Sequence, residues 1–363
     1  MSHAEPDQPS LERLGAYVLP GRVSDPRPAI GQARAAAAAG LGAIWLSERW
    51  GSKDHAAILG ALSQVAPGAR LAAGTTHFLT RHPLVLASSA MTLQALADGR
   101  FVLGIGRATT KIGLPRATNA MLIETLGMVR RLWNGESVSY DGPAGTFPMM
   151  RMTDIPPVEP PRVVLAAIGP RAQALAGQHF DGVLLHPFLT VDAVGRAAAA
   201  VRSAAERAGR DPLQVRVYVT VVTAPDLPPE EEEAVVGGRA VTYFQIRGVG
   251  ERLAEANGWD VQALSRLRDQ PQLAHLLPGG TADQAFTRRE LSEVSRVLPR
   301  SWLASGAAIG TARQCAERLR DYLDAGADEV VIHGSTPDQL GPTVAQFNAA
   351  GRGRPPRNSP QKS

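Results

Sequence analysis

The chain has 363 residues, of which 44% are hydrophobic, enough for a large buried core and for a (β/α)8 barrel of ~250 residues enlarged by insertions. The formal charge of +4, from 38 basic and 34 acidic residues, is matched by Arg352, Arg354, Arg357 and Lys362 in the last stretch, so the body is neutral and nucleic-acid binding is not indicated. A single cysteine, Cys315, excludes an internal disulfide and suits a reducing cytoplasm, no apolar run approaches the ~18 residues of a membrane span, and the polar, acidic segment Met1–Ser10 holds no signal-peptide core.

Residues 1–10 read as a disordered terminus, and Gly15–Leu19 as the first strand. A recurring unit follows: an Ala/Leu-rich helix, a glycine stop, and a short apolar strand. It appears as helix Ala29–Ala39, Gly40, strand Ala43–Leu46, and again as helix Leu84–Ala97, Gly99, strand Phe101–Ile105. The third copy is helix Ala172–Ala176, Gly177, strand Asp181–Leu185; the fourth is helix Ala312–Ala325, Gly326, strand Asp328–Ile332. Glycine at a helix end takes the left-handed conformation without a Cβ clash. Arg70–Thr75, Arg162–Ala167 and Gln214–Val222 complete a set of about eight strands. They are apolar runs rather than alternations, so both faces should be buried, as in a closed parallel barrel or a long doubly wound sheet.

Two segments interrupt this rhythm. Gly/Pro-rich Asn134–Pro161, between strands four and five, predicts a loop or small hairpin over the barrel top. Residues from about 225 to 300, after strand seven, predict a helical insertion, opened by the acidic run Glu230–Glu233 behind Pro228 and Pro229. The expected organisation is one domain over 11–349, followed by a disordered basic tail, 350–363.

In a parallel barrel the chemistry sits just beyond the C-terminal strand ends. That rule selects Ser47-Glu48-Arg49-Trp50 after strand two, Thr75-Thr76-His77 and Arg81-His82-Pro83 after strand three, and Gly104-Ile105-Gly106-Arg107 after strand four. It also selects Ile168-Gly169-Pro170-Arg171 after strand five and His186-Pro187 after strand six. Gly169-Pro170-Arg171 opens a helix whose free N–H groups, with Arg171, can bind phosphate; the alternative is a plain helix start with a solvated arginine. Gly104 and Gly106 permit close backbone approach of a cofactor, or form a tight turn, and lack the third glycine of a dinucleotide fingerprint. Arg107, Lys111 and Arg116 can hold an anionic cofactor tail or make a wet loop. The eight histidines show no HExxH or helical pair, so no metal is expected, and neither GxSxG nor a P-loop occurs. Cys315 shares a helix face with Leu319 and Leu323 and reads as core.

The stretches Ala72–Ala108, Ala166–His186, Ala308–Gly334 and Gly40–Trp50 resemble the luciferase-like monooxygenase superfamily, in order along most of the chain. The SERW and RHP elements are most similar to the branch that uses the deazaflavin coenzyme F420. The resemblance implies a luciferase-like barrel, a homodimer, a small-molecule substrate, and coenzyme F420 as cofactor, with FMN and monooxygenation as the alternative. A third possibility is a barrel that binds a flavin without turning it over. The resemblance further implies a non-prolyl cis peptide at Gly74-Thr75 beneath the ring, with Thr76, Gly104, Gly106, Arg107 and Ile168–Arg171 around the cofactor. Glu48 and Arg49 stand where relatives often carry an Asp-His pair. Arginine is a poor proton donor, so Glu48 and His77 become the catalytic candidates, unless Glu48 and Arg49 form an ion pair. Arg49, Trp50 and His186 are expected to line the substrate pocket.

Overall fold

The computed structural model describes residues 13–21, 25–50, 52–107, 114, 116–276 and 282–351. The expected termini, 1–10 and most of 350–363, and Lys111 lie outside them. Eight strands run parallel: β1 (Leu14–Tyr17), β2 (Ala43–Leu46), β3 (Arg70–His77), β4 (Phe101–Gly106), β5 (Arg162–Ala167), β6 (Gly182–Leu185), β7 (Arg216–Pro225) and β8 (Glu329–Gly334). Each pairs with the next, and β8 returns to β1 through Leu14–Val330, Gly15–Val331 and Ala16–Ile332, so the sheet is a closed barrel rather than an open doubly wound one. Every residue of β1, β2, β4, β6 and β8 is buried, which is why these strands are apolar runs, broken only by Glu329 and His333 in β8. Tyr17, Trp45, Ala72, Val102, Val164, Leu184, Tyr218 and Val331 point inward and fill the barrel.

Six helices cover the first strands from outside: α1 (Pro28–Ala39), α2 (His55–Ser63), α3 (Pro83–Leu96), α4 (Asn119–Trp133), α5 (Pro170–His179) and α6 (Val191–Arg207). Gly40 (φ 78°) caps α1 as expected, and Gly99 (φ 79°) follows α3. Gly177 does not stop its helix. It lies inside α5, where a Cβ would stand 2.2 Å from the Val201 carbonyl oxygen, so its role is close packing of α5 on α6.

Residues 134–161 do form a hairpin, Val138–Gly142 against Gly145–Met150. Its Tyr140 hydroxyl binds Glu124 of α4 and its Phe147 ring meets His82 at the start of α3. It therefore packs outside the barrel wall rather than over the mouth.

The insertion after β7 comprises α7 (Pro229–Phe244), α8 (Val249–Asn257), α9 (Gln262–Arg268), α10 (Ala282–Ala285), α11 (Arg288–Ser295) and α12 (Arg300–Gly306). Pro229 and Glu230–Glu232 occupy the first turn of α7, matching the macrodipole. Trp259 and Trp302 stack at 4.8 Å and carry helix packing past residue 300, where the sequence suggested an end. A short strand not foreseen, Ala307–Gly310, then pairs with Val222–Pro225 of β7, beyond the Arg216–Val219 stretch that pairs with β6. The chain closes with α13 (Ala312–Asp324), β8 and α14 (Gly341–Gly351), and Cys315 is buried in α13 with Leu319 and Leu323. Among the described residues no helix is long and apolar enough to cross a membrane.

Candidate active site

The C-terminal ends of the barrel strands open into a cavity of about 1300 Å³. Glu48, Arg49 and Trp50 reach its wall from the end of β2, and Gly74, Thr75 and His77 from β3. Gly106 and Arg107 come from β4, Ile168, Gly169, Pro170 and Arg171 from the β5–α5 turn, and His186 from the end of β6. Two expected residues are absent from this wall. Thr76 is fully buried and spends its hydroxyl on Glu48. At Gly104 a Cβ would stand 2.1 Å from the Ala73 carbonyl oxygen, so the missing side chain serves the approach of β3 to β4, not of a ligand.

The Gly74–Thr75 peptide is cis. The Gly74 carbonyl accepts hydrogen bonds from the Tyr17 hydroxyl at 3.0 Å and the Ser47 hydroxyl at 2.5 Å. Both donors come from neighbouring strands, so β1 and β2 fix the carbonyl of this floor.

Glu48 and Arg49 turn to different partners and make no ion pair with each other. Glu48 accepts from Thr76 at 2.6 Å, meets Arg81 at 2.5 Å and His55 at 3.3 Å. Burial pushes its carboxyl upward, but the bonds from His55, Thr76 and Arg81 outweigh it and hold the group at about 2. Glu48 is thus a fixed carboxylate at neutral pH and has no proton to give. Asp54 lies close to Glu48 and His55 in a metal-like grouping, but the Arg81 guanidinium bridges Asp54, at 2.7 Å, and Glu48, and supplies the charge there. Arg49 reaches the insertion instead, binding Asp283 of α10 at 2.6 Å.

His77 packs against Trp50 at a tilt of 50°, with ring centroids 4.4 Å apart, and the indole Nε1 and the imidazole Nδ1 are both buried without a hydrogen-bond partner. Burial lowers the His77 pKa to about 4, against the pull of Glu48. His186 is lowered to about 4 by burial as well; its Nδ1 donates to the Pro187 carbonyl at 2.9 Å, which leaves Nε2 an acceptor. His333, at the end of β8, also lines the cavity, is 5% exposed, and has its Nδ1 unpartnered. Three neutral imidazoles therefore line the mouth.

These histidines make a stability prediction. Each takes up a proton near the ordinary value of 6.5 when unfolded, but His77 and His186 only near about 4 when folded, and His333 only well below its ordinary value. The unfolded chain binds more protons in that window, so stability falls as pH drops through 6.5 towards 4 and levels off only about a pH unit above 6.5. The Glu48 contribution is lost lower, between 4.5 and about 2. Urea midpoints should fall in the order pH 8, 6.5 and 5, with the larger drop between the last two. Equal midpoints at all three would show that the histidines titrate normally.

Opposite β1 in the ring of strands, the mouth is basic. Gly169 begins α5 with no side-chain cap, so backbone N–H groups and the positive end of the helix face the cavity beside Arg171. Arg116 and Arg252 of α8 also line this side, and a Cβ on Gly169 would lie 3.6 Å from Arg252 Cδ. Arg107 is tied to the start of α4 through the Ala117 carbonyl at 2.7 Å and Asn119. Burial, then the charges of Arg116 and Arg252, push the Arg107 pKa down, a sign that these guanidinium groups converge. Sequence reasoning missed Tyr17, Tyr243, Arg252, Asp283 and His333. Tyr17 sits in a strand that reads as core, His333 follows directly after the expected strand end at Ile332, and the others come from an insertion without a readable pattern.

The profile of the luciferase-like monooxygenase family matches residues 9–329. The chain belongs to this family. Over 308 residues it is 26% identical to 5,10-methylenetetrahydromethanopterin reductase of Methanolobus tindarius, covering 80% of this chain and 85% of the relative. Over 139 residues, 36% of this chain and 38% of the relative, it is 34% identical to the F420-dependent hydroxymycolic acid dehydrogenase of Mycobacterium tuberculosis. Among solved structures, the coenzyme F420 dependent tetrahydromethanopterin reductase from Methanopyrus kandleri superposes with a TM-score of 0.76 at 16% identity, covering 94% of this chain and 99% of that one. The family member is thus an oxidoreductase built on this barrel.

Proposed function

We propose that the protein passes hydride between coenzyme F420 and a small organic substrate. The observation that carries this reading is the pairing of the Gly74–Thr75 floor, whose carbonyl Tyr17 and Ser47 hold, with a basic wall at the uncapped start of α5, across one cavity of about 1300 Å³. That volume suits a tricyclic ring with an anionic tail, and the donor set suits the tail's charge. Similarity to an F420-dependent dehydrogenase supports the choice of cofactor.

When bound, the deazaflavin supplies the hydride. Gly169, Pro170 and Arg171 would hold its phosphate, and Arg107, Arg116 and Arg252 its acidic extension. Ile168 would flank the ring. Thr75 and Gly74 would set the ring height, and the Trp50 and His77 rings, packed on each other, would wall the substrate's side. Glu48 keeps Thr76, Arg81 and His55 in place, so its part is positioning rather than proton transfer. The helices of the insertion exclude water from above.

The family also contains oxygen-using monooxygenases, as its name states, and reduced FMN is the second reading. Turnover separates the two. Under anaerobic conditions, reduced F420 offered with a panel of small ketones and imines should be oxidised by the protein. Consumption of acceptor only with reduced FMN and oxygen would overturn the proposal.

A further inference from the structure

A second basic cluster lies on the other side of the mouth, between β8 and β2, away from the α5 wall. Arg49 from β2, Arg239 from α7 and Arg288 from α11 converge there around Asp283. Arg49 binds the Asp283 carboxylate at 2.6 Å, and Arg239, only 9% exposed, reaches the same oxygen at 3.5 Å. Arg288 is brought alongside by backbone packing: a Cβ on Gly238 of α7 would lie 3.0 Å from the Arg288 carbonyl oxygen. Burial and then Arg239 lower the Arg288 pKa to about 10, with Asp283 opposing. Two guanidinium groups thus share one carboxylate, and a third, Arg288, lies near enough to feel both charges, in a partly buried place where unbalanced charge is costly.

The cavity reaches this cluster through Arg49, Asp283 and His333. His333 is the independent observation. Its imidazole is 5% exposed, lies 4.9 Å from the Tyr17 ring, lines the same cavity, and holds a buried Nδ1 without a hydrogen-bond partner. Burial first, then the charges of Arg239, Arg288, Arg49 and His186, keep that ring neutral, with its single N–H on one nitrogen or the other according to the tautomer. A buried imidazole with an unsatisfied nitrogen, beside converging guanidinium groups, is what an oxyanion accepting its N–H would satisfy.

We propose that the substrate of this enzyme carries an anionic group, a carboxylate or a phosphate, seated between Arg49 and His333 with Arg239 and Arg288 behind it. This deepens the hydride-transfer reading and rests on it only for the word substrate; the anion site itself is read from the chain. The α5 wall would take the cofactor's charge, and this opposite wall the substrate's, which orients the substrate across the ring.

The test is calorimetric titration of the F420-loaded protein with inorganic phosphate, with succinate, and with uncharged dimethyl succinate. Arg239→Gln and Asp283→Asn are compared with the parent protein, and F420 affinity is measured in each. The proposal expects an anion to bind, the ester not to bind, affinity to fall at least tenfold in Arg239→Gln and to rise in Asp283→Asn, where a competing carboxylate is gone. F420 affinity should stay the same in both variants. Opposite signs in the two variants cannot come from misfolding. Equal anion affinity in all three proteins, or an ester that binds as well as the acid, would overturn it. If F420 fails to bind at all, the cofactor reading falls, and the same two variants titrated with phosphate alone still decide the anion site.

Discussion

Replacing Gly74 by alanine should weaken coenzyme binding by roughly ten- to a hundredfold, equivalent to ~1.4–2.8 kcal/mol. A Cβ at this position would stand 2.5 Å from the Tyr17 hydroxyl oxygen and 2.7 Å from Trp45 Cε3. Neither neighbour can retreat. Trp45 is wholly buried and its indole N–H donates to Glu329 at 3.2 Å, while Tyr17 is 4% exposed and packed against Trp45 and His333. The strand end must then rise into the cavity, where the cofactor ring is expected. Overpacking of this kind costs ~1–3 kcal/mol in stability. Adding Tyr17→Phe removes the oxygen that makes the nearest contact and should recover part of the loss, because the two sites touch and couple. Fluorescence titration with F420 reads the affinity and urea unfolding reads the stability. Parent-like binding in Gly74→Ala would show that the floor is not where the ring rests.

Glu48→Ala should cost ~3–5 kcal/mol of stability, the range for breaking a buried ion pair from one side. The carboxylate is 5% exposed and Arg81 is 16% exposed. Without Glu48, Thr76 loses its acceptor, His55 its partner in a nearly closed environment, and Arg81 keeps Asp54 and the Thr76 hydroxyl. Glu48→Gln retains an acceptor oxygen and should lose less. Urea unfolding measures both variants. A loss below ~1 kcal/mol for the alanine variant would mean that the cluster is exchangeable with water, as at exposed pairs.

The barrel was legible because its physics is local. A helix, a glycine in the left-handed region and a strand buried on both faces leave the same pattern each time, and it holds at Gly40, Gly99 and Gly326. It misleads at Gly177, because a missing side chain can also serve helix–helix contact. Within the site, the strand-end rule found Glu48, Arg49, Trp50, Thr75 and His77 at one cavity, and the family resemblance added Gly74. It erred at Thr76 and Gly104, since successive residues of a strand face opposite ways and the rule does not say which face looks into the mouth. Arg49 could be read as replacing a histidine, but its partner Asp283 lies 234 residues away, and no local pattern announces such a pair. Tyr17 was hidden for the opposite reason, since its strand is so apolar that a polar ring within it reads as packing, while His333 stands one residue past the expected strand end at Ile332, where the strand-end rule was not applied.

Equilibrium titration of the protein with coenzyme F420 and, separately, with FMN tests the central claim most directly, with Arg171→Glu/Arg252→Glu as the partner variant. The account predicts saturable F420 binding that is tighter than FMN binding, weakened by added salt, and lost when the two arginines are reversed. Binding of FMN in preference to F420, or F420 binding indifferent to both salt and charge reversal, would contradict it.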